Sequence, residues 1–410
     1  MLDPNRRAYR VLLGAQSMVS SLAVDMSLPA LPALAAGFAT AADRVQLTVS
    51  FYLIGYAVGQ LFGGPLSDRF GRRPVLLTGM TIYAASAYCC ALAPTIDAMI
   101  ALRLLQGLGG CVGVVVTRAS VRDHFSGPHL AQILSAITAV QAIGPLVAPA
   151  IGGILTSQLS WHWIFLTQGA FGTFILIAIW RGFGESLATV NPHAIAPRHL
   201  LGNYATFFSN PRCVGYALVS ASAFGGLFAV LSASPFVLID LYGLSTQAYG
   251  FFFGASVSGY MLGSFLNRRW LRRGIKAEIL LRWGLVVLVS AAAAMLFSAT
   301  TRWGGTAGIM LPYFVYAVAM SLVQANAVAS AMEPIPHMAG TGASLMGATQ
   351  MSSGAASGYL VNFFFDGTGT PMGVGMAAFA CAAFASYWLI ARRGRSVPPL
   401  TPSGASSGTR

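Results

Sequence analysis

Apolar stretches alternate with short polar breaks along almost the whole chain. They cover about 11–34, 45–64, 75–94, 98–118, 130–156, 163–183, 213–238, 249–267, 279–299, 306–330, 340–364 and 373–391. At 1.5 Å of rise per helical residue, about 20 residues cross a hydrocarbon core of ~30 Å. Lipid offers no partners to backbone N–H and C=O groups, so such runs are expected to be helices. The pattern predicts an all-α membrane protein with twelve transmembrane helices. The longest polar break follows the sixth run and holds Glu185, Asn191, Pro192, His193 and Arg198. It separates an N-terminal six-helix bundle (1–183) from a C-terminal one (211–395), with 184–210 as a linker. A Pro/Ser/Gly-rich tail, 396–410, is expected to be disordered. Six spans on each side of a linker suggest two bundles facing each other across a cavity.

Composition narrows the reading. Of 410 residues 56% are hydrophobic and only 9% charged, too little charge for the surface of a soluble protein this large. The formal net charge of +13 would suit nucleic acid, but its distribution does not. Apart from Arg44, Arg103 and Arg302, the basic residues gather in the amino terminus, the even-numbered connections and the carboxyl tail. That asymmetry places both termini in the cytoplasm and makes the lipid headgroups, not nucleic acid, the partner of the positive charge. The first run is too long for a signal peptide and contains Asp25, so it is expected to remain as a span. The five cysteines show no metal-ligand spacing, and no phosphate-cradling loop or catalytic constellation is present. No cofactor, metal or enzymatic activity is expected. A proton gradient remains as the energy source. One charge crossing 100 mV releases about 2.3 kcal/mol, enough for roughly a 50-fold concentration ratio.

Several positions break the apolar pattern. Asp25 lies inside the first span, roughly 22 Å beyond Arg10, and is followed by Pro29 and Pro32, which should bend or break the helix. A carboxylate at that depth costs about 2.5–3.5 kcal/mol unless it meets a cavity or a partner. Arg103, roughly 9 Å past Asp97 in the fourth span, sits at a similar membrane level and is the natural partner. Between spans two and three the chain reads Gly64-Pro65-Leu66-Ser67-Asp68-Arg69-Phe70-Gly71-Arg72-Arg73-Pro74. Its counterpart in the second half is Gly263-Ser264-Phe265-Leu266-Asn267, with Asn267 where Asp68 stands. Arg118 and Asp123 close the fourth span, and the fifth holds Gly144, Pro145, Pro149 and Gly152. Glycines four apart, Gly55-Gly59-Gly63 and Gly250-Gly254, place small faces on two helices, for close packing or for sliding. Candidates to line a cavity are Tyr52, Tyr56, Gln60, Gln106, Gln141, Phe224, Phe228, Tyr313, Tyr316, Gln324, Asn326 and Gln350.

The loop at 64–74 resembles the signature loop of the major facilitator superfamily. Arg103-Leu104-Leu105-Gln106-Gly107-Leu108-Gly109 resembles the fourth-span motif which that superfamily associates with proton coupling. The stretch from Gln141 to Gly153 resembles the antiporter motif of drug exporters, although Ala136 and Val140 replace upstream glycines. With Trp161-His162-Trp163-Ile164-Phe165 and Gly340-Thr341-Gly342-Ala343-Ser344, these segments resemble the bicyclomycin/chloramphenicol-resistance (Bcr/CflA) branch of twelve-helix drug–proton antiporters. The resemblance implies proton coupling at Asp25 and Arg103. It implies a conformational gate at Gly64, Asp68, Arg69, Gly71, Arg72, Arg118, Asp123, Gly144, Pro145, Pro149 and Gly152, with a charge network on the signature loop that stabilises the outward-open state. The expected function is proton-coupled export of small amphipathic drugs, such as chloramphenicol- or bicyclomycin-like antibiotics, across the bacterial inner membrane by alternating access. The chain is expected to act as a monomer on a small-molecule substrate and protons. An importer or exporter of a metabolite such as a sugar or organic acid is the alternative.

Overall fold

A computed structural model gives residues 3, 4, 6–335 and 338–391, and every regular element among them is helical. The tail expected over 396–410 lies outside these residues.

The first span is broken where the prolines require. Helix α1 (Arg7–Asp25) stops at Asp25 itself. A single 3-10 turn (Leu28–Ala30) and a short α2 (Leu31–Gly37) continue the span. Pro29 and Pro32 each occupy the opening turn of one of these pieces, where the missing N–H has no bond to lose. Helices α3 (Ala42–Phe70) and α4 (Arg72–Ala91) are separated by Gly71 alone. Its φ of 95° lies in the region that side chains disfavour, and a Cβ there would stand 2.6 Å from a Glu185 carboxylate oxygen. Thr95 caps α5 (Ile96–His124) by accepting from the Ala98 N–H at 3.2 Å. The next span bends between α6 (Gly127–Gln141) and α7 (Ile143–Gln158). Pro145 cannot donate to the Gln141 carbonyl, so the helix gives way there. Helix α8 (His162–Gly182) leads into the linker, whose one regular element is α9 (Pro197–Ser209).

Six helices follow: α10 (Pro211–Pro235), α11 (Thr246–Arg272), α12 (Ala277–Thr301), α13 (Gly305–Met332), α14 (Ala339–Phe363) and α15 (Thr370–Ser386). Ten segments among the described residues are long and apolar enough to cross a membrane, against the twelve expected. The two outside that set are α11 and α14. They are 27 and 25 residues long, but arginines end α11 and Gly, Ser and Thr dilute α14. Both turn one face toward the first half instead of lipid, and such a face needs less apolarity.

Most helices of α1–α8 pack among themselves, as do most of α10–α15, whereas α7 and α11 pack most heavily on each other. The glycine face of α3 belongs to the first set. A Cβ on Gly55 would stand 2.1 Å from the Leu104 carbonyl, and one on Gly107 would stand 2.1 Å from the Tyr52 carbonyl. This reciprocal crossing of α3 and α5 is packing within one half. The other glycine face joins the halves: Cβ atoms on Gly250 and Gly254 would stand 2.3 Å from the Pro149 carbonyl and 2.6 Å from the Leu146 carbonyl. The halves meet along α7–α11 and α3–α14. Asn362 Nδ2 donates to the Asp43 carbonyl at 2.7 Å, next to the exposed Arg44–Asp97 ion pair. These contacts seal the end of the molecule opposite the 64–74 loop.

Candidate functional site

A cavity of about 590 Å³ lies between the halves. Of the residues expected to line it, Tyr52, Tyr56, Gln60, Gln141, Phe224, Phe228, Tyr313, Gln324 and Gln350 do so. Phe253, Met320, Met346 and Met351, which sequence reasoning missed, join a wall of aromatic, aliphatic and thioether side chains interrupted by four glutamines. Three expected residues are elsewhere. Tyr316 is buried inside the second half and donates to the Ala223 carbonyl at 2.9 Å. Asn326 Nδ2 donates to Asn267 Oδ1 at 2.8 Å. Gln106 is buried behind the wall, bonded to Arg103.

Asp25 opens onto this cavity from the end of α1, and its carboxylate makes no hydrogen bond or ion pair among the described residues. Its position follows from the broken first span: the helix ends, and Ser27 turns back to bond the Ala23 and Val24 carbonyls at 3.2 and 2.8 Å. Gly152 of α7 fits against the Met26 carbonyl, where a Cβ would stand only 2.0 Å away. The acid thus sits beside the junction of the broken span and the bent one. Gly144 packs on Met18, Pro145 lines the cavity, and Pro149 meets α11.

The expected partner of Asp25 does not form an ion pair with it. Arg103 is 0% exposed, with its guanidinium 4.5 Å from the Tyr52 ring and 5.8 Å from that of Phe165. Its Nη1 donates to Gln106 Oε1 at 2.7 Å, and Gln106 Nε2 donates to Gln168 Oε1 at 3.0 Å. Gln168 Nε2 then reaches the Leu22 and Ala23 carbonyls at 3.3 and 3.4 Å. Arg103 therefore connects to the chain just before Asp25 through two amides. Gln168 carried no motif and was missed; Gln106, three residues after Arg103, shares its helix face. Trp161 and Phe165 also belong to this interior, both buried, whereas His162 and Trp163 of that cluster are exposed, Trp163 as a span anchor would be.

The loop charges do form a network, but in a conformation closed at the far end and not in the outward-open state that the resemblance attached to it. Arg72 donates to Asp123 at 2.9 Å and to Asp68 at 2.5 Å. Glu185, which sequence reasoning treated only as linker, accepts from the Arg72 and Arg73 N–H groups at 2.9 and 3.0 Å, capping the start of α4. Ser186 donates to Asp123 at 2.9 Å, the Asn191 N–H donates to the Asp68 carbonyl at 2.9 Å, and Arg69 bonds the Pro192 carbonyl. Every partner named lies in the first half or the linker. The network holds the linker to the loop, and it is complete while the far end is sealed. Gly64 borders a second cavity of about 410 Å³ beside it, between Arg118 and Arg122 on one side and Gly340–Ser344 on the other. Arg118, expected at the gate, lines both cavities.

The Major Facilitator Superfamily model matches residues 13–358. The chain is 32% identical over 386 residues to a bicyclomycin resistance protein homolog of Haemophilus influenzae, covering 94% of this chain and 96% of that one. It is 28% identical to a chloramphenicol resistance protein of Pseudomonas aeruginosa (81% and 78% covered) and to multidrug resistance protein D of Escherichia coli (81% and 82%). Among solved structures, a D-xylose-proton symporter superposes with a TM-score of 0.73 at 14% identity, over 95% of this chain and 99% of that one.

Proposed function

Because this chain belongs to the major facilitator superfamily, and so is a multi-pass transporter of the bacterial inner membrane and not an enzyme, we propose that it exports small amphipathic drugs in exchange for protons. The carrying observation is Asp25: a lone carboxyl at a helix break, opening onto an aromatic and methionine-lined cavity. Such walls suit an apolar body better than a sugar, which needs many hydrogen bonds. Relatives named for resistance to bicyclomycin and chloramphenicol support the same substrate class.

In this reading the twelve spans comprise the ten apolar segments with α11 and α14, arranged as two six-helix bundles in a single working subunit. The basic residues place the 64–74 loop in the cytoplasm, which makes the sealed far end the outer gate and this conformation inward-facing. Substrate enters from the cytoplasm or inner leaflet. The bundles rock about the cavity, and protonation of Asp25 from outside accompanies release. Arg103 acts through Gln106 and Gln168 on the turn that carries Asp25. Chloramphenicol uptake into inverted membrane vesicles tests the direction. The expected result is respiration-driven accumulation that a protonophore collapses. Accumulation indifferent to the protonophore, or movement the other way, would reject export.

A further inference from the structure

Among the described residues two charged side chains face the central cavity, Asp25 and Arg118. Their levels can be compared because Tyr9 and His124 pack edge to face at 6.1 Å, placing the start of α1 beside the end of α5. Asp25 lies about 24 Å beyond Tyr9 along its helix, and Arg118 about 9 Å before His124. The charges are therefore roughly 15 Å apart along the helix axes, at opposite ends of the cavity. Aromatic rings and methionines lie between them.

The Arg118 side chain has no ion pair and donates no hydrogen bond among the described residues; Arg122 Nε donates to the Arg118 carbonyl at 3.2 Å. The nearby carboxylates Asp68 and Asp123 are both held by Arg72. Tyr56 and Tyr260 are the cavity residues within reach of its charge. A guanidinium at the mouth of an apolar chamber, with its fork of donors unspent, matches a carboxylate or similar planar acid.

We propose that Arg118 is a specificity-determining residue that receives an acidic group of the transported molecule, so that drug-sized acids and zwitterions are bound ahead of their esters. This deepens the transport reading and rests on it for taking the cavity as the substrate site. A zwitterion lying between the two charges directs its basic group toward Asp25, where it competes with the coupling proton.

Ciprofloxacin and its methyl ester form a suitable probe pair, since the ester lacks only the carboxylate charge. Both are titrated against the purified full-length protein by isothermal calorimetry. The wild type should bind the acid about tenfold tighter, the discrimination expected of a charge-assisted hydrogen bond. In R118Q the acid-to-ester ratio should fall to near one, and R118K should keep part of it. A wild-type ratio of one, a ratio unchanged in R118Q, or no binding of the acid would overturn the proposal. General damage weakens both ligands together and leaves the ratio intact, so it does not mimic the expected result. Failure of the export reading is seen separately: a protonophore-insensitive chloramphenicol flux with a preserved acid preference removes the coupling and leaves Arg118's role standing.

Discussion

At one end of the first half Arg72 bridges Asp68 and Asp123; at the matching place in the second half Asn326 donates to Asn267 across 2.8 Å. The positions correspond, but the chemistry differs. The charged version faces the linker and holds it through Glu185, Ser186 and Asn191. The amide version is buried against α13 and holds nothing outside its own half. The same division runs through the cavity. Its two charges come from the first half, whereas the second offers a neutral cluster in which Gln350 donates to Ser220 at 2.7 Å and to Gln324 at 3.1 Å. A chamber charged on one side and amide-lined on the other can couple to protons through one half while the other serves as a passive wall.

The contrast can be broken first at Arg72. R72L leaves two carboxylates facing each other near a largely buried site, and the partial exposure of Asp68 limits the cost to roughly 2–3 kcal/mol. Thermal unfolding of the purified protein should show a clear loss; an unchanged midpoint would mean that the loop charges are solvated and independent. Next comes the seal. In G250L the side chain meets the Pro149 carbonyl, and overpacking of this kind costs about 1–3 kcal/mol, so the outer gate should open. A cysteine placed at Ser50, buried where α3 meets Gly358 of α14, would then label severalfold faster than in the parent, and equal labelling would show that α11 and α7 can part without opening the far end. The amide pair should respond in a distinct pattern. N326L leaves Asn267 unpaired at about 1–2 kcal/mol, while the double variant N267L/N326L recovers most of the loss because no buried group is then orphaned. The smallest effect is expected at Arg44–Asp97, an exposed pair worth about 0–1 kcal/mol. A double-mutant cycle there should give a coupling near zero, and a larger value would make this pair part of the seal.

Much of this layout is legible in the chain. Hydropathy marks the spans, Pro29 and Pro32 mark the break beyond Asp25, and the 64–74 loop shows its acid and its arginines in plain order. The interior amides are less readable. Gln60, Gln106, Gln324 and Asn326 all interrupt apolar runs in the same way, yet Gln60 and Gln324 line the cavity while Gln106 and Asn326 are buried among other side chains. Depth follows from counting residues, but rotation about the helix axis depends on packing that weak amphipathicity does not encode. The pairing of Asp25 with Arg103 failed for that reason: shared depth suggested contact, and the aromatic cage of Tyr52 and Phe165 turns the guanidinium inward. Glu185 escaped notice because a lone acid in a polar linker gives no sign that it will cap a helix that begins 113 residues earlier.

Coupling at Asp25 is the claim on which the rest depends, and proton release on drug binding tests it most directly. Chloramphenicol is added to purified protein in weakly buffered detergent solution with a pH indicator, for the wild type and for Asp25→Asn. The wild type should release protons in proportion to drug bound, and the variant should bind drug without release. Equal release from both proteins would contradict the account.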